Sequence, residues 1–596
     1  MSISLDPVTF KVIQSGLSSL VEEMGVRLTR VAFSPVIVEG KDFSLGLTAP
    51  NGDLVSTGPR DLPAFIGTME FTVRAVLERY PMDEIHPGDI FMLNDPHRAG
   101  THNNDLRVVY PVFIEGELLT WIFSCGHWAD VGGPEPGSFN ANATSVFAEG
   151  VLVPVVKLYS AGVRNEALID LFMANLRQPR QSRGDLQAML HACWAGETRL
   201  NEIVDRYGIN AVRQAMSDMI DYSEALLAAK LADLPNGVFE FEDYCDTDAP
   251  HPDSPPIKVH LRLTIEDGHL TFDYRGSGDQ PVGPMGSGLP MCWSATTNAV
   301  LNLFPGVPPN HGVFRRITIL TRPGSSVHVE YPGAISGTAA GVYEKITACV
   351  LNVFGQADSA LKSGAIYNLT NISIGGDDDA GRPWLMYLWM GGGYGGTVRG
   401  DAGLPTMMLM ATATKTQPVE LLERTNPILF ESSSMIIDSM GAGRHRGGPG
   451  QERTFRILTE GTSAFLTAIG DRNVFPIWGV DGGAAGHFQD VVVDVGGPSE
   501  RSVGCNVSGV RVSPGGVVRC WTGGGGGLGN PLEREPDAVL EDVRQGYVSI
   551  AGAERDYGVL IHCADEVMNS YDIDRDRTTL LRQERLGRTA NPVLVS

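Results

Sequence analysis

The chain is 596 residues long, 42% hydrophobic and 19% charged, with 46 basic against 70 acidic residues and a net charge of −24. That length exceeds what one hydrophobic core organises, so two to four domains are expected. The acidic excess excludes nucleic acid and anionic membrane surfaces as partners, since both need a basic face, and no apolar run approaches the roughly 18 residues of a membrane span.

Asp6-Pro7 reads as a helix cap followed by proline at the first helical position. Phe10, Ile13, Leu17, Leu20 and Met24 then fall on one helical stripe. A second helix is predicted over 65–80, and a short strand over 89–93 running into the turn Asn94-Asp95-Pro96. Residues 106–114 and 118–124 are apolar or alternating around Glu115-Gly116, which is a hairpin signal. From 165 to about 234 the pattern is helical, in two or three helices, with Leu186, Leu190, Cys193, Leu200, Ile203 and Tyr207 on the stripe. Pro235-Asn236-Gly237 ends that region. Beyond it, 259–265 and 269–274 flank Glu266-Asp267-Gly268 as another hairpin. Strands are predicted over 313–320 and 327–331, and helices over 294–303 and 338–354. From 428 to 521 short strands alternate with Gly- and Pro-rich turns; a helix over 536–544, a strand and a charged tail follow.

The reading is therefore a mixed α/β (α+β), multidomain fold. Its expected divisions are an α/β region over 1–164, a helical segment over 165–235, a mixed region over 236–427, a β-rich body over 428–535 and a C-terminal helix and tail over 536–596. The eight cysteines form no CxxC pair and the first residues carry no charged-then-apolar leader. Reduced, mostly buried thiols in a cytoplasmic protein are expected.

The candidate chemistry lies in Asp42, His102, Asp105 and His127, with Asp95 and Asp130 nearby. A turn at Glu115-Gly116 sets Asp105 beside Gly126 and His127, with His102 just beyond at the same open end of the strand pair. Two imidazoles and a carboxylate thus converge locally, whereas Asp42 has to join by tertiary packing. Two His with one or two Asp suit a divalent transition ion such as zinc, manganese or iron, and the mixed N/O set disfavours calcium and magnesium. The spacing equally allows polar loop residues satisfied by backbone groups at strand ends. Glycine clusters at 391–396, 441–450 and 523–529 mark tight turns or close backbone approach. The 523–529 run reads as a mobile turn, Arg444-His445-Arg446 as a surface turn, and Asp377-Asp378-Asp379 as a solvated hairpin tip. No GxxxxGK[ST] occurs, and the Asp-Val-Gly-Gly stretches at Asp130 and Asp494 are not followed by Thr, so no nucleotide site is expected in this chain.

Six ordered segments resemble the hydantoinase B/oxoprolinase family over nearly the whole chain. They are Lys41-Asp42-Phe43-Ser44; the run from Asn94 to Asp105 containing Gly100-Thr101-His102; His127-Trp128-Ala129-Asp130-Val131-Gly132-Gly133; Pro308-Pro309-Asn310-His311-Gly312; Gly441 to Gly448; and Gly524 to Arg534. The family comprises subunits of ATP-dependent N-methylhydantoinase and caprolactamase, half of 5-oxoprolinase, and subunits of acetone and acetophenone carboxylases. The resemblance implies that Asp42, His102, Asp105 and His127 bind one divalent metal, with His102, His127 and Asp105 also catalytic. It implies an actin-like ATPase subunit that binds ATP-Mg and phosphorylates the substrate carbonyl or enol, in a hetero-oligomer with two copies of each chain.

The chain departs from the common pattern at Gly40-Lys41, where Arg-Ser is frequent, at His97-Arg98-Ala99-Gly100, where Tyr-Arg-Gly-Gly is usual, and at Trp128, where a second His is frequent. Asp95, His97, Arg98, Trp128 and Asp130 are accordingly expected around the ion or facing the substrate, with Trp128 walling an apolar pocket and Asp130 orienting a ligand. The implied function is a metal-binding subunit that opens a cyclic amide of hydantoin, lactam or oxoproline type. The alternatives are a ketone carboxylase subunit, a metal-bound scaffold without catalysis and, since two His and one Asp also describe that site, a non-haem iron oxygenase.

Overall fold

Asp6 caps the helix Pro7–Val31 as its sequence requires: its carboxylate accepts the N–H groups of Val8 and Thr9 (3.1 and 3.0 Å), and Pro7 takes the first turn. The structure is a computed structural model that describes residues 4–246, 248, 253–367, 369–403, 414–565 and 570–590. The stripe Phe10, Ile13, Leu17, Leu20 and Met24 is buried, and it packs on the long helix Pro179–Tyr207. Each such side chain contributes about 1.5–3 kcal/mol on burial. The helical region holds three helices, Glu166–Met173, Pro179–Tyr207 and Ile209–Leu231.

These helices cover one face of an antiparallel sheet. Its strands are β1 (Phe43–Thr48), β2 (Leu54–Thr57), β3 (Ile90–Leu93), β4 (Asp105–Ile114), β5 (Glu117–His127), β6 (Val156–Ser160) and β7 (Val163–Arg164), in the order β2-β1-β5-β4-β3-β6-β7. Leu45, Leu106, Val108 and Ile122 face the helices. Val109, Trp121 and Phe123 face a second core shared with the central region. Burial on both faces explains why β4 and β5 are predominantly apolar. The β4–β5 turn is a two-residue one with Glu115 at φ 53° and Gly116 at φ 84°, the left-handed pair that such hairpins require. A bulge between Val112 and Phe113 shifts the register by one, and Asp105 consequently pairs with His127 at the open end.

Several elements differ from the sequence reading. The helix predicted over 65–80 breaks into Pro63–Ile66 and Met69–Arg79. At the break Gly67 lets the helix Leu289–Leu303 approach so closely that a Cβ there would lie 2.5 Å from the Ser294 Cα. The segment 327–331 is not a strand; the isolated bridges at Ser325 and His328 replace it. The charged tail forms a strand pair, Ile561–Asp565 with Ser570–Ile573, and a helix, Arg575–Ala590. The rest of the fold is mixed α/β. A four-stranded sheet holds Gly237–Cys245, Ile257–Glu266, His269–Asp273 and Ile317–Leu320, and two further sheets build the C-terminal body. Within one of them the hairpin Leu369–Asp377/Pro383–Gly391 reaches back to β1 and β5.

The run from Gly523 is buried through Leu528, with Gly529 half-buried, rather than a mobile turn. The N–H groups of Gly525, Gly526 and Gly527 donate to the carbonyls of Gly448, Ala365 and Ala484, at 2.9 Å each. Its carbonyls at Gly523, Gly525, Gly526 and Gly527 accept from Gly393, Gly441, Gly396 and Val480. Three consecutive donors thus point to three different segments, so neighbours surround the thread instead of flanking it in one plane as in a sheet. A Cβ on Gly525 would lie 1.9 Å from the Tyr394 carbonyl oxygen, and one on Gly393 1.9 Å from that of Gly448. Close backbone approach is the reason for the glycines. All eight cysteines are unpaired thiols, seven buried and Cys563 exposed. Among the described residues no helix is long and apolar enough to cross a membrane.

Candidate metal centre

The loop that delivers His102 is held by asparagine side chains. Asn94 donates its amide to the carbonyls of Asn103 and Val151 (2.7 and 2.9 Å), and Asn104 to those of Trp128 and Gly137 (2.9 and 3.1 Å). The Asp105 N–H donates to the His102 carbonyl (3.1 Å), folding His102 back over the first residue of β4. On the other strand His127 is the last residue of β5, opposite Asp105. Asp42 arrives through strand pairing. Phe43 pairs with Gly126, and one step further the His127 N–H donates to the Asp42 carbonyl (3.1 Å).

Asp105 lies between the imidazoles. Its Oδ1 is 3.0 Å from His127 Nδ1, and its Oδ2 is 3.2 Å from His102 Nδ1 without hydrogen-bond alignment. One ligand atom from each of His102, Asp105 and His127 falls within 4.8 Å of the others. Among the described residues Asp42 Oδ1, His102 Nδ1, Asp105 Oδ2 and His127 Nε2 are all buried without a hydrogen-bond partner. Each such atom costs about 1–3 kcal/mol if left so; His102, Asp105 and His127 form a donor set that fits a divalent transition ion, and Asp42 lines the same cavity outside that close group. The hydrogen bond that His127 Nδ1 donates to Asp105 fixes the ring with Nε2 free, as metal-binding histidines require.

The walls are apolar. His127 lies beside the rings of Tyr387 (centroids 4.9 Å apart) and Phe139 (6.0 Å), which stack on each other at 5.7 Å, and His102 meets His127 edge-on at 5.0 Å. Burial pushes the Asp42 carboxyl up to about 7 against the pull of His127, and pulls His102 down to about 4. Burial would raise Asp105 too, but the two imidazoles and Arg107 outweigh it and hold it below its ordinary value. His127 goes the other way: burial lowers it, and the carboxylates of Asp105 and Asp42 raise it further. Arg107 is fully buried and donates to the Asp105 carbonyl (2.9 Å) and to Thr68 (3.2 Å).

A cavity of about 30 Å³ opens on the donors, room for an ion and about one water. Asp42, His102, Asp105 and His127 line it together with Phe65, Thr101, Asn371, Tyr387 and Trp389. The other expected residues do not line it. Asp95 accepts the His97 N–H (3.0 Å), His97 Nε2 bonds the Gly333 carbonyl (2.9 Å), and Arg98 is exposed beside Glu78 and Asp95. Trp128 stacks on Phe172 in the core beneath the helices, so it walls no pocket at the donors. Asp130 touches neither imidazole; its carboxylate binds the N–H groups of Gly132, Gly137 and Arg177 and the Arg177 guanidinium (2.9 Å). Asn371, Tyr387 and Trp389 were not anticipated. Their signal is the alternation Leu385, Tyr387, Trp389 in one strand, with Asn371 in its partner paired with Trp389.

Residues 6–531 match the family model described as hydantoinase B/oxoprolinase. An uncharacterized protein of Methanocaldococcus jannaschii is 31% identical over 585 residues, 97% of this chain and 100% of its own length. The caprolactamase subunit beta of Pseudomonas jessenii is 28% identical over 583 residues, 94% of this chain and 97% of its own. The crystal structure of ATP-dependent caprolactamase from that organism superposes with a TM-score of 0.88 at 26% identity, covering 97% of this chain and 100% of that one. Nucleotide-free acetone carboxylase shares the fold, with a TM-score of 0.90 at 19% identity over 100% of this chain and 85% of that one. With the match running from the first helix through the glycine thread, the chain belongs to the hydantoinase B/oxoprolinase family.

Proposed function

We propose that this chain is the metal-bearing subunit of a two-component, ATP-dependent enzyme that opens a cyclic amide of hydantoin, lactam or oxoproline type. An actin-like partner subunit binds ATP-Mg and activates the carbonyl by phosphorylation. The observation that carries the reading is the set of four buried, unpartnered donor atoms on Asp42, His102, Asp105 and His127. The relative named as a caprolactamase beta subunit and the ATP-dependent caprolactamase structure support a lactam-type reaction with a partner.

The ion, zinc, manganese or iron, supplies Lewis acidity that polarises a carbonyl and acidifies water. The chain's own residues do the rest. Asp105 orients His127, and Asp42 gives up its proton when a cation arrives. Tyr387 and Phe139 exclude bulk water, which strengthens every charge interaction in the cavity. The fold of acetone carboxylase favours a second reading, a ketone carboxylase subunit. The test is turnover by the chain reconstituted with an ATPase partner. Hydrolysis of a lactam or hydantoin without bicarbonate supports the first reading, and an absolute bicarbonate requirement supports the second. Calorimetry of the chain alone with ATP-Mg should show no binding; micromolar affinity would sink the two-component scheme.

A further inference from the structure

Asp42 lines the donor cavity, while its neighbours Lys41 and Phe43 line a different one. They line a second cavity of about 110 Å³. The same alternation recurs at Thr414, which lines the donor cavity, and Lys415, which lines the second. The two segments are joined by a bond from the Lys415 N–H to the Gly40 carbonyl (2.8 Å). The cavities therefore stand back to back, one chain thickness apart.

Three cations, Lys41, Arg60 and Lys415, line this second cavity. Among the described residues none of them has a salt bridge, in a chain where acidic residues outnumber basic ones by 70 to 46. Lys41 is held by the carbonyl of Val38 and carries a left-handed backbone, φ 59°, unusual for a non-glycine residue. The lining also includes the buried carboxyl of Asp61, which accepts from the N–H groups of Leu45 and Gly58 and is pushed up to about 8 by burial. Glu22 is the remaining acid of the lining. The far wall is apolar, built from Val21, Gly25 and Val26 of the first helix with Phe43.

We propose that this cavity is a phosphate subsite. Lys41, Arg60 and Lys415 take the oxygens of a phosphate or phosphate monoester, and the Val21–Phe43 wall takes the ester's apolar part. Three separately mounted cations match a dianion with three terminal oxygens better than a carboxylate with two. The site stands independently of the metal assignment. The physiological ligand, free phosphate or a phosphorylated substrate, rests on the reading above.

The test is calorimetric titration of the full chain with inorganic phosphate and with butyl phosphate, at fixed ionic strength. Butyl phosphate should bind more tightly than inorganic phosphate. Each of Lys41→Met, Arg60→Met and Lys415→Met should weaken both about tenfold, the loss of one charge-assisted contact. Arg399→Met, an exposed cation elsewhere, should change neither. Neither Arg60 nor Lys415 is a strand residue, and Lys415→Met keeps the backbone bond to Gly40, so their variants decide the matter even if Lys41→Met disturbs the fold. Absence of binding to the wild-type chain, equal binding by the Arg60 and Lys415 variants, or equal weakening by Arg399→Met overturns the proposal. Phosphate binding without metal content, or metal content without phosphate binding, separates its fate from that of the metal reading.

Discussion

Asp42 and His127 meet through a strand pair: the His127 N–H donates to the Asp42 carbonyl, one residue beyond the last β1–β5 pair, Phe43 with Gly126. Backbone pairing thus fixes the spacing of two side chains far apart in sequence. A disturbance of β1 should therefore reach the donor set directly.

His102→Ala and His127→Ala should each empty the metal site, leave the fold intact and abolish turnover by the assembled complex. Elemental analysis of the purified variants checks this; a full equivalent of metal in both would refute the ligand assignment. Asp130→Asn is the contrast. Its carboxylate ties Gly132, Gly137 and Arg177 rather than an imidazole. It should lower stability by about 1–3 kcal/mol while metal stoichiometry stays at the wild-type value.

The shifts at the centre predict proton release on metal binding. Asp42 keeps its proton to about pH 7 and His127 is raised above its ordinary value, whereas His102 is neutral above about pH 4. Zinc added at pH 6 should displace protons from Asp42 and His127, and the number released should fall well above pH 7. The sign for stability follows. A carboxyl with a raised folded pKa stabilises the metal-free fold most below the unfolded value, near 4, and that contribution is lost as pH rises toward 7. Indicator-dye titrations in weak buffer at pH 6 and 9 measure the release; equal release at both would contradict the assignment of these shifts.

Tyr387 stacks on His127 and donates its hydroxyl to Asn371 Oδ1 (2.9 Å). Tyr387→Phe should leave Asn371 short of a donor and cost about 1–3 kcal/mol of stability, with metal retained. Tyr387→Leu also removes the stacked ring and should weaken metal affinity about tenfold or more, as loss of a ligand's outer support does. Chelator competition distinguishes the two; equal metal affinity in both variants would mean the stack does not position His127.

Gly525→Ala should prevent folding, because the new Cβ falls 1.9 Å from a backbone oxygen that cannot move aside. Gly306→Ala has open space and only a left-handed backbone to strain (φ 86°), so it should cost about 1–2 kcal/mol. Soluble yield and melting temperature of the pair report the difference.

The part of the centre that was legible in the sequence is the part that is local. Glu115-Gly116 names the hairpin, and the hairpin brings Asp105 to His127 with His102 alongside; only the bulge at Val112, invisible in the pattern, decides between Gly126 and His127 as partner. Asp42 was named by the resemblance alone, and its place beside His127 was not legible locally because β1 joins β5 across a long stretch of chain, Phe43 to Gly126. Tyr387 and Asn371 were hidden because their hairpin lies more than 200 residues away and only tertiary packing closes it over the cavity. Trp128 and Asp130 sit next to a ligand in sequence, yet the strand ends at His127 and the chain turns them into other surroundings. The glycine run was misread for a different reason. Turns are the commoner cause of clustered glycine, and nothing within 523–529 indicates that four distant stretches crowd around it.

That crowding bears on the order in which the molecule can be made. The stretches around the thread, at 364–367, 393–396, 441–448 and 480–484, all leave the ribosome before residues 523–527 do. Until then they present backbone donors and acceptors with few side chains to pack, and their mutual arrangement lacks the element that most of their bonds address. The bonds to the axis of the C-terminal body therefore cannot form until residues 523–527 have been made. A chain cut short before residue 523 would be missing its centre, and not simply an end.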